Sequence, residues 1–600
     1  MTRLFVFTWT MFTLVGCASG QRSVPSGPIA SVPASTVSVV SDAPAASSGV
    51  SAATVQNGDT IPNVNLSGAL MYQLIAAEVA AQRGELGSAF AVYLKLARET
   101  RDPRLARRAS ELAIQGRAPA QGLEAAQVWF ELAPNSQDAL STLALLYAGA
   151  GRFDDAYPLL KAQLQVATNP ADELLRTQRA MARMQDRAGA FGLLERLAEP
   201  YLQLADVRLV LANGAQVGGL SARAAQEARA AVTLAPDSPR AAVAAAQYLQ
   251  TTDRPAAIAL LSEFVARNPM LADTRLAYAR LLIADGKFDL ARSEFQLLMQ
   301  ADPKNPDLVY SMALLSLQGK LPADARMHLQ RYLELIAQPA GADGGRPAEP
   351  AYLYLAQIAE EDKQFPVALE WLRKIDGGED FLTARVREAF VLSKMQRLDE
   401  ARKLLRTVST QSSDEKTQLV LAEAQLLRDA KRYDESFKLL SQALAVSPDS
   451  VPLLYDSAMA AERINQIAVM EKQLRRVIEL RPDYAHAYNA LGYSLADRNM
   501  RLPEALQLIE KALQLAPDDA FILDSLGWVH FRLGDITQAR EYLQRAYGVR
   551  PDAEVAVHLA EVLWASGEQD AARKLLREVR AKEPTNALLK STVTRLKIGL

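Results

Sequence analysis

The chain repeats itself about every 34 residues. Prolines fall at Pro448, Pro482, Pro517, Pro551 and Pro584, with gaps of 34, 35, 34 and 33, and the same beat reads Pro236, Pro269 and Pro303 farther back. Between them a Gly is followed five residues later by an Ala: Gly84 and Ala89, Gly151 and Ala156, Gly286 and Ala291, Gly534 and Ala539, Gly567 and Ala572. A third register places one small residue per period, at Ala77, Ala109, Ala144, Ala212, Ala246, Ala279, Ala313, Ala356, Ala389, Ala424, Ala458, Gly492, Gly527 and Ala560. The gap of 68 from Ala144 to Ala212 hides a degenerate copy around Arg179 to Arg187, which makes about fifteen repeats. A period of this length holds two short helices and their turns, a unit that cannot bury its own apolar face and must stack on its neighbours.

Each register has a packing reason. Small residues at fixed phase let two helices approach closely, and the large residue four after the second Ala (Tyr93, Leu160, Phe295, Leu543, Leu576) fills the neighbouring hole. The Gly sits where the first helix of a pair turns into the second. Leu526-Gly527, Gly534, Ala539, Leu543, Ala546 and Pro551 resemble one full tetratricopeptide repeat, as do Leu491-Gly492 through Pro517. The resemblance runs from about residue 68 to 584. It implies an all-α fold, a right-handed superhelical solenoid of about fifteen tetratricopeptide (TPR) helix hairpins, with Asn586 to Leu600 available as a capping helix.

Composition agrees: 49% of residues are hydrophobic and 6% aromatic, and only 30 of the 600 are Gly. The 67 basic and 69 acidic residues nearly cancel, so nothing draws the whole chain toward nucleic acid. One stretch is locally basic, with Lys95, Arg98, Arg101, Arg104, Arg107, Arg108 and Arg117 set against three acidic residues. It reads as a solvated helix face, with an anionic partner as the alternative. Catalytic chemistry finds little to work with. The four histidines are His328, His486, His530 and His558, and there is one cysteine, no His-Glu-x-x-His pair and no phosphate-binding glycine loop. The expectation is a protein that is not an enzyme and needs no cofactor or metal.

The N-terminus points to an envelope address. A short basic start is followed by the apolar run Leu4 to Val15, too short to span a bilayer, and then by Leu14-Val15-Gly16-Cys17, which resembles the bacterial lipobox. Residues 1–16 are expected to be a lipoprotein signal peptide and Cys17, the only thiol, the lipidated first residue of the mature chain. Ala18 after it implies, by the same resemblance, the outer membrane, with the chain lipid-anchored on the periplasmic face. Residues 17–66 are rich in Ser, Ala and Pro and read as a tether, roughly 35 to 42 Å long on average as a flexible coil. Residues 67–338 then form an N-terminal TPR array and 351–600 a C-terminal one. An inter-repeat loop at 339–350 is expected because the small-residue register jumps by 43 between Ala313 and Ala356.

A solenoid's function lives on its long concave face. In tetratricopeptide repeats the groove positions lie six and three residues before the small residue, and one and four after it. Carried onto the C-terminal repeats, this implies a groove presenting Tyr455, His486, Asn489, Tyr493, Phe521, Asp524, Trp528, Phe531, Glu561 and Trp564. Such an aromatic strip suits an extended peptide, while packing against the next repeat is the competing use of the same side chains. Lipobox, tether and array together resemble the proteobacterial lipoproteins that act as adaptors for carboxy-terminal processing proteases and recruit peptidoglycan-hydrolase substrates. The alternative is a structural scaffold of an envelope assembly or exopolysaccharide export complex. In either case the partners are other envelope proteins, and the membrane is reached through the lipid anchor only.

Overall fold

The computed structural model describes residues 62–337 and 346–600. Among these, regular structure is helical throughout: thirty-one α-helices and one short 3-10 turn, Glu199–Tyr201. The helices pair into fifteen hairpins, and a last single helix, Ala587–Leu596, follows them. The lipobox, Cys17 and most of the expected tether lie outside the described residues, as does most of the expected loop. The helix after that loop begins at Glu349, two residues before the expected start of the second array.

The three registers of the sequence become three contacts. Every small residue of the once-per-period register is buried; Ala144, Ala279, Ala424 and Ala560 have no exposed surface. The second Ala of each hairpin (Ala89, Ala156, Ala291, Ala539, Ala572) is equally sealed, and its large companion is 7% exposed or less. In thirteen of the fifteen hairpins the turn between paired helices contains a residue in the left-handed region, Gly534 at φ +89° in one and Lys431 at φ +59° in another. Arg117, Lys320, Lys363, Gln396, Asn465 and Asn499 take the same conformation in other hairpins, which is why the glycine register has gaps that the fold does not. A Cβ costs about 1–2 kcal/mol in this region, and tertiary packing outweighs it.

Local chemistry starts the helices. The side chains of Ser136, Ser238, Asn305, Asp519, Asp552 and Asn586 accept hydrogen bonds from first-turn N–H groups, and Pro103, Pro170, Pro239 and Pro306 occupy early positions where no N–H is needed. The degenerate copy is present as the helices Pro170–Met181 and Arg187–Ala198. Its small-residue position is held by Gln178, which is buried beside the equally buried Glu173 and Thr177.

The described residues fall into two compact units, one within 62–337 and the other within 346–600. In the second unit, buried carboxylates tie helices together. Glu423 accepts from Arg402 Nε at 3.0 Å and from Arg406 Nη2 and Nε at 2.5 and 3.0 Å. Glu388 is held by Arg373 and Arg385, each at 2.7 Å. In the first unit Glu227 is held by Arg208 at 2.7 Å and Arg223 at 2.8 Å. A buried carboxylate is tolerated because two guanidinium groups replace its water.

The basic stretch resolves the same way. Lys95, Arg98, Arg104, Arg107 and Arg108 pair with Glu99, Glu124, Asp102, Glu111 and Glu78 respectively. Five of its seven cations are thus paired, two of them with Glu78 and Glu124 outside the stretch.

Candidate interaction groove

The expected groove residues sit on the first helices of consecutive hairpins, Val451–Arg463, Ala485–Asp497, Ala520–Leu533 and Ala553–Ala565. Helices at the same phase of adjacent repeats lie side by side, so residues about 34 apart in sequence become neighbours in space. The structure brings the set into one row but does not leave it open along its length. His486 and Phe521 are exposed, and Tyr455, Asn489, Tyr493, Phe531 and Trp564 are half-buried. Asp524, Trp528 and Glu561 are buried, at 7, 5 and 4% exposure.

Those three correct the expected strip, and each burial has a reason. Trp528 lies flat against His558 of the next repeat, with ring centroids 4.3 Å apart, and tilts against Phe531 at 5.4 Å. Asp524 is consumed by His558 as well: the imidazole Nδ1 stands 3.0 and 3.1 Å from its two carboxylate oxygens. Glu561 accepts a two-pronged pair from Arg595 at 2.7 and 2.6 Å, which joins the last hairpin to the final helix. Near the end of the array these positions serve repeat-to-repeat stacking.

His558, one of the four histidines to which the sequence assigned no chemistry, sits at this repeat interface. It is 2% exposed and the centre of the cluster, with Tyr493 on a second side at 6.3 Å. Its separation from Asp524 is 34, one full period, and that spacing was the available signal. Burial alone would push the imidazole pKa down. The Asp524 carboxylate, aided by Glu554 and Glu561, more than reverses this and holds His558 above the ordinary histidine range. The arrangement stores a proton between two repeats. It resembles a hydrolase pair only in composition, because both groups are sealed from any substrate.

The surface that stays accessible is made of edges and rims. Tyr455 meets Tyr484 edge-on at 5.5 Å, and Tyr484 meets His486 at 6.0 Å. Arg550 lies over the ring of Phe521 at 4.8 Å and Arg573 over that of Trp564 at 4.9 Å. Arg498 links Glu462 at 3.2 Å to Ser494 at 2.7 Å. Aromatic rings partly covered by cations, with hydroxyl and amide groups between them, can receive a polypeptide's side chains and backbone together. Among the described residues no group of three or more His, Cys, Asp or Glu is placed to hold a metal ion, and no helix is long and apolar enough to cross a membrane.

Comparison with known proteins agrees with this architecture. Tetratricopeptide repeat family models match residues 483–552 and, for a second model, residues 244–306 and 525–587. The chain is 35% identical over 500 residues to the TPR repeat-containing protein PA4667 of Pseudomonas aeruginosa, covering 82% of each. It is 24% identical over 364 residues to the cellulose synthase operon protein C of Pseudomonas fluorescens, a match spanning 52% of this chain and 28% of that protein. Among solved structures, the APC/C hetero-tetramer Cut9-Hcn1 aligns over 81% of this chain and 95% of its own at 15% identity and a TM-score of 0.32. The repeat matches and the extended likeness to PA4667 place the chain in the family of TPR repeat-containing proteins, helical-hairpin scaffolds for protein–protein interaction whose fold is generally non-catalytic.

Proposed function

We propose that this protein is an envelope adaptor, anchored to the outer membrane through Cys17 on its periplasmic face, that brings substrates such as peptidoglycan hydrolases to a carboxy-terminal processing protease. The observation that carries the reading is the row on four consecutive hairpins of the second unit, whose first helices carry half-buried aromatic and polar residues, among them Tyr455, Asn489, Tyr493, Phe531 and Trp564. A row of that kind offers contact to a polypeptide over many repeats, and its energy would concentrate in a few aromatic anchors. The lipobox sequence ahead of the array supports an anchored placement of that surface.

A second reading, a structural component of an exopolysaccharide export or other envelope assembly, is supported by the partial likeness to the cellulose synthase operon protein C of Pseudomonas fluorescens and to the cellulose synthase 2 operon protein C of Komagataeibacter xylinus. Crosslinking in intact cells followed by identification of the captured proteins separates the two. A soluble protease and cell-wall hydrolases favour the adaptor; a synthase or outer-membrane channel favours the assembly component. The anchoring is tested by labelling with a fatty-acid analogue: Cys17→Ser should abolish incorporation, because only a thiol accepts the lipid, and equal labelling of both chains refutes it.

A further inference from the structure

The first described helix, Gly68–Gln82, turns outward an apolar face that no described residue covers. Tyr72, Ile75 and Val79 on that face are 74, 58 and 39% exposed, Met71 beside them is 49% exposed, and Leu66 just ahead of the helix is 66% exposed. The opposite side carries Ala77, buried at the small-residue position. In later hairpins the positions matching Tyr72 and Val79 are sealed: Thr274 and Leu281 in one, Leu453 and Ala460 in another, Ile522 and Val529 in a third are all 5% exposed or less, whereas the positions matching Ile75 are half-buried at Ala277 and Asp456 and buried at Ser525. The first helix thus has the chemistry of an interior repeat, without a described hairpin before it.

We propose that this face is a homodimer interface, at which two copies of the chain meet through their first helices. Three observations select a second copy. The outward face of the helix, from Gly68 through Tyr72, Ile75, Ala76 and Val79, holds no charged residue, so two copies can meet there without repulsion, and the small Gly68 and Ala76 leave room for the partner's larger side chains. The last described helix, Ala587–Leu596, presents exposed Lys590, Ser591, Thr594 and Arg595. That polar surface offers no apolar match to the first helix, which favours a closed, two-fold contact of the first helix with its own copy.

The third observation is area. The exposed apolar residues from Val64 to Val79 leave about 600 Å² uncovered on each chain, the upper edge of what a monomer ordinarily shows, and pairing two such faces buries about 1,200 Å², the lower limit of a standard interface. A lipid surface fits less well, since the helix carries no Lys or Arg to meet anionic headgroups. The residues ahead of it are rich in Ser, Ala and Pro and lack apolar residues at helical spacing.

The test is sedimentation of the full chain in mild detergent from about 1 to about 100 µM, the range in which a small interface of this kind is half-occupied. The weight-average mass should rise from that of one chain toward that of two. The double variant Tyr72→Glu with Ile75→Glu should stay at one chain throughout, its helical circular dichroism unchanged because both side chains are mostly exposed. Val446→Glu, which charges a 75% exposed side chain in the other unit, should dimerise like the wild type. A wild type that remains a single chain at every concentration overturns the proposal, as does a double variant that dimerises as before.

Discussion

Replacing Trp528 by Ala distinguishes a stacking residue from a ligand contact. The ring is 95% buried and lies between His558 and Phe531. A Trp side chain buries about 150 to 250 Å², so at about 25 cal/mol per Å² and after allowing for the Ala methyl the loss is about 4 kcal/mol, within the usual cost of Trp→Ala in a core. The substitution also opens the Asp524–His558 pair to water, which weakens a contact that depends on its dry surroundings. In a stacked array the damage stays near its source. Amide protection should therefore fall in the helices between Ala485 and Lys582, by as much as about a thousandfold where exchange follows opening of those hairpins, and stay unchanged in residues 68–337. Hydrogen exchange with mass spectrometry measures this directly. If protection is unaltered while a crosslinked partner is lost, Trp528 faces a ligand after all and the stacking assignment is wrong. Trp564→Ala, on a half-buried ring, is the contrasting case and should move partner recovery more than protection.

Further outcomes follow from the same geometry. Because His558 holds its proton more tightly folded than unfolded, its contribution is complete below the ordinary imidazole pKa of about 6.5 and disappears as pH rises through the elevated value; thermal melts from pH 6 to 9 should fall for the wild type and flatten for Asp524→Asn, and parallel curves would exclude the pair as the cause. Glu423→Ala leaves Arg402 and Arg406 without their shared carboxylate and should destabilise the second unit by about 3 kcal/mol or more, read from denaturant melts of that unit. Gly527→Val must fail by crowding, since even a Cβ there would stand 2.6 Å from Leu543 Cγ and 3.0 Å from the Ala539 carbonyl oxygen, whereas Gly534→Ala meets open space and should cost only about 1–2 kcal/mol, from its left-handed backbone. A Gly527→Val chain as stable as Gly534→Ala would mean that the two helices of that hairpin are not in close contact.

The sequence by itself determined the hairpin, its number and its phase. Pro482, Pro517 and Pro551 mark where one repeat turns into the next, and Ala291 and Phe295, or Ala539 and Leu543, mark where paired helices touch, because contacts within a repeat involve residues at fixed short separations. It could not assign the left-handed turns that use Lys431 or Asn465, since there packing overrides a local preference of about 1–2 kcal/mol. Nor could it divide the row of Asn489, Tyr493, Asp524, Trp528 and Glu561 into open and sealed positions. Only the tertiary structure decided that, because whether a residue on a first helix faces a partner or the next repeat depends on how closely that repeat stacks. His558 closes over Asp524 and Trp528, and Arg595 over Glu561, from one period away, so the same register position that is half-buried at Tyr493 is sealed at Trp528.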